Sequence, residues 1–232
     1  MTTRSLQILV LASAVVVGVF HGFLKSPVKV ADIGGDFALF RKSMGWTDRM
    51  APDFELARLD GTKVRLADEV GKKLIVLNFF ATWCGPCRDE MPGMAGLPKR
   101  FQGKPFELLA IDVKETPAKV RALLSQLHLE LPVILDRDGA VAHEYEVDSF
   151  PTTVIIGGNG RVVSYRVGEI PNIDASLVPA LKVGVAGIER GGGISKQAYL
   201  SLLAAKAGGA KSPAAKPDSS VEPKTSGAKK ER

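Results

Sequence analysis

The two cysteines of the chain, Cys84 and Cys87, are separated only by Gly85 and Pro86. The apolar run from Leu74 to Phe80 precedes them and predicts a strand buried on both faces, and a helix is expected to begin at the motif. Unpaired backbone N–H groups and the dipole at a helix N-terminus favour a thiolate, which is the attacking species in thiol–disulfide exchange. We therefore predict that Cys84 attacks and that Cys87, about one turn further and more buried, resolves the mixed disulfide.

Two neighbours of the cysteines fit this chemistry. Pro86 has no N–H to lose in the first turn of a helix, and Trp83 offers a flat apolar wall beside the sulfur. No cofactor is predicted beyond the redox-active Cys84–Cys87 disulfide.

Other uses of a Cys-x-x-Cys pair are less well matched. Zinc needs four ligands and the chain has no second cysteine pair, while His128 and His143 are distant in sequence and read as surface helix residues. Two unrelated buried cysteines would not need the strand-to-helix context. No metal site is therefore predicted.

The surrounding pattern alternates strands and helices. A hairpin is predicted around Asp60-Gly61, and short buried strands over Phe106–Ile111 and Pro132–Leu135. A helix is expected from a Thr116 cap, a short one after Asp138-Gly139, and a closing one over Leu177–Val183. The last strands, Thr152–Ile156 and Val162–Val167, flank an Asn159-Gly160 turn. These elements predict an α/β sandwich with a mixed central sheet, flanking helices and an N-terminal β-hairpin.

The two ends of the chain differ from its middle. Residues 1–24 are mostly apolar after Arg4 and are predicted to form an uncleaved signal anchor rather than a cleavable signal, with the N-terminus inside the cell. Residues 25–50 read as a linker and 51–183 as the folded domain. Residues 184–207 are not assigned to the domain: a short helix over Ser195–Lys206 could form, and the glycines Gly191–Gly193 would separate it from the domain. Residues 208–232 read as a disordered basic tail.

The net charge of +6 comes mostly from that tail, since residues 204–232 hold seven Lys/Arg against three Asp/Glu. Nucleic-acid binding would need basic residues on a folded face, so it is not predicted. The tail is read as a solvated spacer, with a contact to anionic lipid or cell-wall polymer as the alternative.

The stretch Phe79-Phe80-Ala81-Thr82-Trp83-Cys84-Gly85-Pro86-Cys87 resembles the thioredoxin superfamily, and in particular its membrane-anchored TlpA/ResA-like branch. Further matching segments are Ala51–Phe54, Leu59–Gly61, Arg88–Pro92, Leu131–Asp136 and Phe150–Thr153. The resemblance spans roughly residues 51–182.

The resemblance implies several residue roles. Pro151 would be a cis-proline facing the disulfide, next to which a substrate pairs its backbone. Glu90 would be a buried acid that tunes the thiols, the alternative being an exposed glutamate in a first-turn dipole contact. Pro92 would kink the active-site helix. The expected substrate-binding residues are Trp83, Gly85, Pro86, Phe150 and Thr152.

Two features depart from the pattern of cytoplasmic thioredoxins. Asn78 stands six residues before Cys84, where those proteins carry a buried aspartate, so proton transfer is assigned to Glu90 or water. Gly93, Gly96 and Pro98 predict a weak active-site helix that ends or kinks early at Pro98.

The resemblance implies a monomeric, membrane-anchored thiol–disulfide oxidoreductase facing the outside of the cytoplasmic membrane. Its partners would be disulfide-containing exported proteins such as apocytochrome c and a membrane thiol-electron donor. The Gly-Pro spacer favours reduction. One alternative is a protein of copper-site assembly, as for cytochrome oxidase, that reduces a metallochaperone or binds copper itself; the two-residue spacer argues against direct copper binding. The other alternative is a non-catalytic scaffold.

Overall fold

The computed structural model describes residues 44–209. Its strands are β1 (Glu55–Arg58), β2 (Lys63–Arg65), β3 (Leu74–Phe80), β4 (Phe106–Val113), β5 (Val133–Asp136), β6 (Thr152–Ile156) and β7 (Val162–Val167). Its helices are α1 (Leu66–Glu69), α2 (Gly85–Arg100), α3 (Pro117–Leu127), α4 (Ala140–Glu144), α5 (Ile173–Ser176), α6 (Val178–Glu189) and α7 (Lys196–Gly209). The predicted strand and helix order is confirmed.

The strands form one seven-stranded sheet in the order β2-β1-β5-β4-β3-β6-β7. Strand β4 is parallel to its neighbours β3 and β5, whereas the remaining pairs are antiparallel. The sheet is therefore mixed, with the predicted hairpins β1–β2 and β6–β7 at its two edges.

Strand β3 supplies both faces of the sheet because successive side chains point to opposite sides. Leu74, Val76 and Phe80 belong to the core beneath α2, α3 and α6. Ile75, Leu77 and Phe79 belong to the core shared with α1, α4 and α7. All seven residues of β3 are buried, as predicted. By the same alternation Asn78 points toward α2.

Helix α2 does not end at Pro98, so that part of the prediction is wrong. It continues to Arg100 through both Pro92 and Pro98, and its buried face holds Met91, Met94 and Leu97 in the core. Burial of this stripe offsets the missing proline hydrogen bonds. Gly93 is a close-packing position, since a Cβ there would overlap the side chain of Ile173 in α5.

The folded unit is larger than the predicted range of 51–183. Trp46, assigned to the linker, is fully buried and stacks between Tyr145 and Tyr165 at ring centroid distances of 5.6 and 5.4 Å. Met50 forms a β-bridge with Arg161.

The C-terminal segment 184–207 is attached to the domain, contrary to the prediction that the glycine run detaches it. Tyr199 of α7 is fully buried and its hydroxyl donates a 2.6 Å hydrogen bond to the carbonyl of Ala51. Gly193 packs directly against the backbone of Gly71, where no Cβ would fit. Because these glycines have no side chains, the two backbone segments can approach closely, and the glycine run joins the segment to the domain.

The predicted anchor, most of the predicted linker and nearly all of the predicted tail lie outside the described residues. Helix α7 extends through Gly209, two residues into the range assigned to the tail. Within residues 44–209 no helix is long and apolar enough to cross a membrane.

Candidate active site

The two cysteines lie where β3 gives way to α2. Cys84 is the N-cap of α2, and the backbone N–H of Cys87 donates a 3.2 Å hydrogen bond to Cys84 Sγ. The two residues form a disulfide with a Cα–Cα distance of 5.3 Å. Cys84 is 5% exposed and Cys87 is 1% exposed. The sulfur of Cys84 thus occupies the position at which a helix N-terminus stabilises negative charge.

The residues around the disulfide expose an apolar surface. Trp83 is 73% exposed, and Gly85 and Pro86 are exposed beside it. Because these exposed residues flank two nearly buried sulfurs in the chain, we expect a partner that reaches Cys84 to contact them as well.

The segment before β6 supplies the opposite wall of this surface. The Phe150–Pro151 peptide bond is cis, as predicted, and Pro151 is buried. The ring of Phe150 meets Trp83 edge-on, with centroids 5.9 Å apart. Thr152 is fully buried and its hydroxyl donates a 2.7 Å hydrogen bond to the carbonyl of Ser149, so its side chain holds the loop and does not reach the surface.

Glu90 is buried beneath the cysteines, and the exposed-glutamate alternative is wrong. It is 3% exposed, and lies one turn after Cys87 on α2. Asn78 Nδ2 donates to Glu90 Oε1 at 2.8 Å, and the backbone N–H of Ile170 donates to Oε2 at 2.9 Å. The carboxyl is therefore held at both oxygens by neutral donors.

Burial raises the pKa of Glu90 above its ordinary value, although the hydrogen bonds from Ile170 and Asn78 act in the opposite direction. An acid of this kind can exchange a proton closer to neutral pH than an exposed glutamate can. Asn78 also donates to Thr153 Oγ1 at 3.1 Å, so both of its amide hydrogens are used. This amide cannot titrate, and the acid at this site is carried by the helix.

A cavity of about 430 Å³ adjoins Trp83 and Phe150. Its polar lining comprises Lys114, Glu115, Lys119 and His143. Glu115, which follows β4 and is buried, was not predicted as a site residue from the sequence. Its Oε2 accepts the backbone N–H of Thr82, and its Oε1 accepts the Thr82 hydroxyl at 2.8 Å. Since Thr82 lies two residues before Cys84, Glu115 anchors the start of the active-site loop.

The two histidines of the described residues do not form a metal-binding group with the cysteines. His128 and His143 are both exposed. Over the described range 44–209, no three His, Cys, Asp or Glu residues cluster as a metal site would require.

Comparison with known proteins assigns the family. The AhpC/TSA family model matches residues 47–165, about half of the chain and the segment that carries both cysteines and Pro151. The chain belongs to this family of thioredoxin-like proteins.

Several similar proteins have names that describe thiol–disulfide redox proteins. The chain is 33% identical over 166 residues to thiol-disulfide oxidoreductase ResA of Bacillus thuringiensis, covering 72% of this chain and 87% of the relative. Among solved structures it is similar to a candidate thiol:disulfide interchange protein, DsbE, from Chlorobium tepidum, with a TM-score of 0.54, 30% identity, and coverage of 61% of this chain and 97% of the other. It is also similar to an exposed lipoprotein thioredoxin of Streptococcus pneumoniae, with a TM-score of 0.51, 27% identity, and coverage of 57% and 99%.

The geometry and the family agree on the reaction class. The protein is a thiol–disulfide oxidoreductase with a thioredoxin-like fold, and the structure holds its Cys84–Cys87 pair in the oxidised form.

Proposed function

We propose that this protein is a membrane-anchored, extracytoplasmic reductase that acts on disulfides of apocytochrome c or another exported protein. The observation that carries the proposal is the position of Cys84, whose Sγ accepts the Cys87 N–H at the first turn of α2. This arrangement stabilises a thiolate at Cys84 once the disulfide is reduced.

The first step of the proposed reaction starts from the reduced dithiol. The Cys84 thiolate attacks one sulfur of the substrate disulfide, a bond forms between the two, and the substrate's S–S bond breaks. The other substrate sulfur leaves as a thiolate and takes up a proton from water. Trp83 and Phe150 form the apolar wall against which the substrate segment packs.

The second step returns the protein to the state seen here. Cys87 loses its proton and attacks Cys84 Sγ, and the bond between Cys84 and the substrate breaks. Two electrons have then passed to the substrate, whose second sulfur leaves as a thiolate and is protonated, and the protein holds the Cys84–Cys87 disulfide. Glu90, buried one turn beyond Cys87, is placed to receive the Cys87 proton.

The proposed location is supported by the relatives and by the apolar segment in residues 1–24. One similar structure is an exposed lipoprotein thioredoxin, and another is a candidate DsbE. Outside the cytoplasm no reductant pool regenerates the dithiol, so a membrane protein must deliver electrons as thiols.

Trapping of mixed disulfides tests the substrate class. A Cys87→Ala variant expressed in the native host is expected to retain exported proteins, apocytochrome c among them, through a bond that a reductant releases. A Cys84→Ser variant is the matched control and should trap none. Capture of cytoplasmic proteins alone would contradict the proposal.

The reduction potential tests the direction of electron flow. Equilibration with glutathione buffers should give a value nearer to about −270 mV, typical of thioredoxin, than to about −120 mV, typical of a strong oxidant. A value at the oxidising end would leave thiol–disulfide exchange in place and remove the reductase assignment.

A membrane-impermeant thiol reagent tests the location. Added to intact cells, it should label Cys84 of the reduced Cys87→Ala variant. Labelling that requires cell lysis would place the domain on the cytoplasmic side.

A further inference from the structure

Asp112 is a buried acid that the reaction described above does not use. It lies near the end of β4, where it pairs in register with Phe80 of β3. The residue is 1% exposed, and neither of its carboxyl oxygens has a hydrogen bond of normal geometry, although the backbone and carboxyl of Glu115 lie close enough to influence it. Buried polar atoms without partners are rare and costly, so this carboxyl calls for a physical account.

The strongest charged influence on Asp112 comes from Glu115, three residues further along the chain. Glu115 is itself 7% exposed. Its two oxygens accept the backbone N–H and the hydroxyl of Thr82. The two acids therefore form one buried pair directly behind the loop that carries Trp83 and Cys84.

The cations around this acid pair are too few and too exposed to neutralise two carboxylates. Lys119 Nζ lies 3.7 Å from Glu115 Oε1 on a side chain that is 66% exposed. Exposed Arg137 favours ionisation of Asp112 only weakly beside the opposing effects of burial and Glu115. Lys114 packs over Gly139 and, with His143, lines the adjoining cavity.

We propose that Asp112 and Glu115 share a single proton and act as positioning residues that fix the Thr82–Trp83–Cys84 segment for disulfide exchange. The proton resides on Asp112, so both oxygens of Glu115 stay free to accept the two hydrogen bonds from Thr82. Burial and the Glu115 charge raise the pKa of Asp112 to about 7, in keeping with a proton held at neutral pH. When this proton leaves, the two carboxylates repel each other and the hold on Thr82 weakens.

This role for Asp112 and Glu115 does not depend on the proposed substrate or location. It can therefore be tested on the oxidised protein in the absence of any substrate. The Thr82 amide is followed by ¹H–¹⁵N NMR between about pH 5 and pH 9, a range that brackets the expected transition. The wild-type amide should show an inflection near pH 7. That inflection should be absent in Asp112→Asn, whose amide cannot titrate.

Two matched variants separate this effect from a structural one. Asp136→Asn alters another buried acid at a strand end, whose oxygens accept the N–H groups of Val141 and Ala142. Glu90→Gln removes the other buried acid near the cysteines. Both should retain the Thr82 inflection, although Asp136→Asn lowers stability.

A functional readout follows the reduced protein. Plotted against pH, the alkylation rate of Cys84 in the wild type should show one transition from the thiol itself and a second near pH 7. Asp112→Asn should show only the transition of the thiol. A Thr82 amide without an inflection in the wild type, or with the same inflection in Asp112→Asn, overturns the proposal. If Asp112→Asn does not fold, the ¹³C chemical shift of the Asp112 carboxyl is followed against pH in the wild type instead. A midpoint for this carboxyl below about pH 5 overturns the proposal.

Discussion

Asn78 Nδ2 donates a 2.8 Å hydrogen bond to Glu90 Oε1, and this bond joins the centre of the sheet to the active-site helix. The strand position holds an amide and the helix position holds the acid. An aspartate at residue 78 would place a second carboxyl against Glu90, so the two positions can carry only one acid between them without repulsion. The buried acid consequently lies on the same helix as Cys84 and Cys87.

Replacing Glu90 with glutamine should slow the resolution step. As pH rises through the raised pKa of Glu90, the carboxyl ionises and becomes able to accept the Cys87 proton. Single-turnover release of a substrate from its mixed disulfide should therefore accelerate with pH through a midpoint above 4.5 in the wild type. Glu90→Gln should lose this rise and react about tenfold more slowly or worse.

Asp89→Asn is the matched control for that experiment, because Asp89 is the exposed neighbour of Glu90 on α2. It should leave the pH profile unchanged. An unaltered profile in Glu90→Gln would assign the proton transfer to water.

Moving the acid from the helix to the strand tests the relationship between residues 78 and 90. Asn78→Asp should lower the free energy of unfolding by roughly 2–4 kcal/mol at pH 8 and by less at pH 5, because two buried carboxyls then compete for one proton. Urea unfolding at the two pH values measures the effect. The double variant Asn78→Asp/Glu90→Gln should regain most of the loss, and a double variant no more stable than Asn78→Asp would contradict the pairing.

The exposed ring of Trp83 and the partly buried ring of Phe150 should act together in substrate binding. Trp83→Ala and Phe150→Ala should each raise KM for a disulfide-containing peptide, and their effects should be non-additive by about 0.5–1.5 kcal/mol because the rings touch. A double-mutant cycle on KM measures this coupling. Val163→Ala, which truncates a half-exposed apolar side chain on β7, is the control and should leave KM unchanged. Strict additivity would mean that the two rings bind separate parts of the substrate.

The sequence was most informative where local pattern and burial coincide. The run Leu74–Phe80 became β3 with the predicted bounds, and the cysteine motif opened α2 as expected. The hairpins were predicted from their turn residues, Asp60-Gly61 and Asn159-Gly160. In each case the residues that predict the element are neighbours in the sequence.

Features that depend on distant contacts were not predictable in the same way. The glycines at 191–193 have the composition of a flexible spacer, and only the approach of Gly71 shows that they permit tight packing. Trp46 precedes the first strand with no periodic pattern around it, and its burial requires Tyr145 and Tyr165. The pairing of Asp112 with Glu115 depends on how β4 ends beneath the Thr82 loop, although an acid closing a buried strand was a visible signal.

Tyr199 should be a measurable contributor to stability because it anchors α7. Tyr199→Phe leaves the Ala51 carbonyl without its buried partner and should cost about 1–3 kcal/mol of unfolding free energy. Tyr199→Ala also leaves a cavity and should cost about 3–5 kcal/mol. Leu202→Ala on the same helix is the control, since Leu202 is 43% exposed and should cost less than about 1 kcal/mol. Equal effects of Tyr199→Ala and Leu202→Ala in urea unfolding would show that α7 adds little to the domain.

Asp112 should make the protein less stable as pH rises, and its replacement should reveal this. The acid ionises near 3.8 in the unfolded chain and near 7 in the folded one, so between these values the folded state keeps a proton that the unfolded state has lost. The free energy of unfolding therefore falls as pH rises from about 4 to 7. Asp112→Asn does not titrate, and relative to the wild type it should gain stability over this range, by up to about 4 kcal/mol. Urea unfolding at about pH 5 and pH 8 measures the change, with Asp89→Asn as an exposed control. A difference between Asp112→Asn and the wild type that is the same at both pH values would mean that Asp112 is ionised in the folded protein throughout.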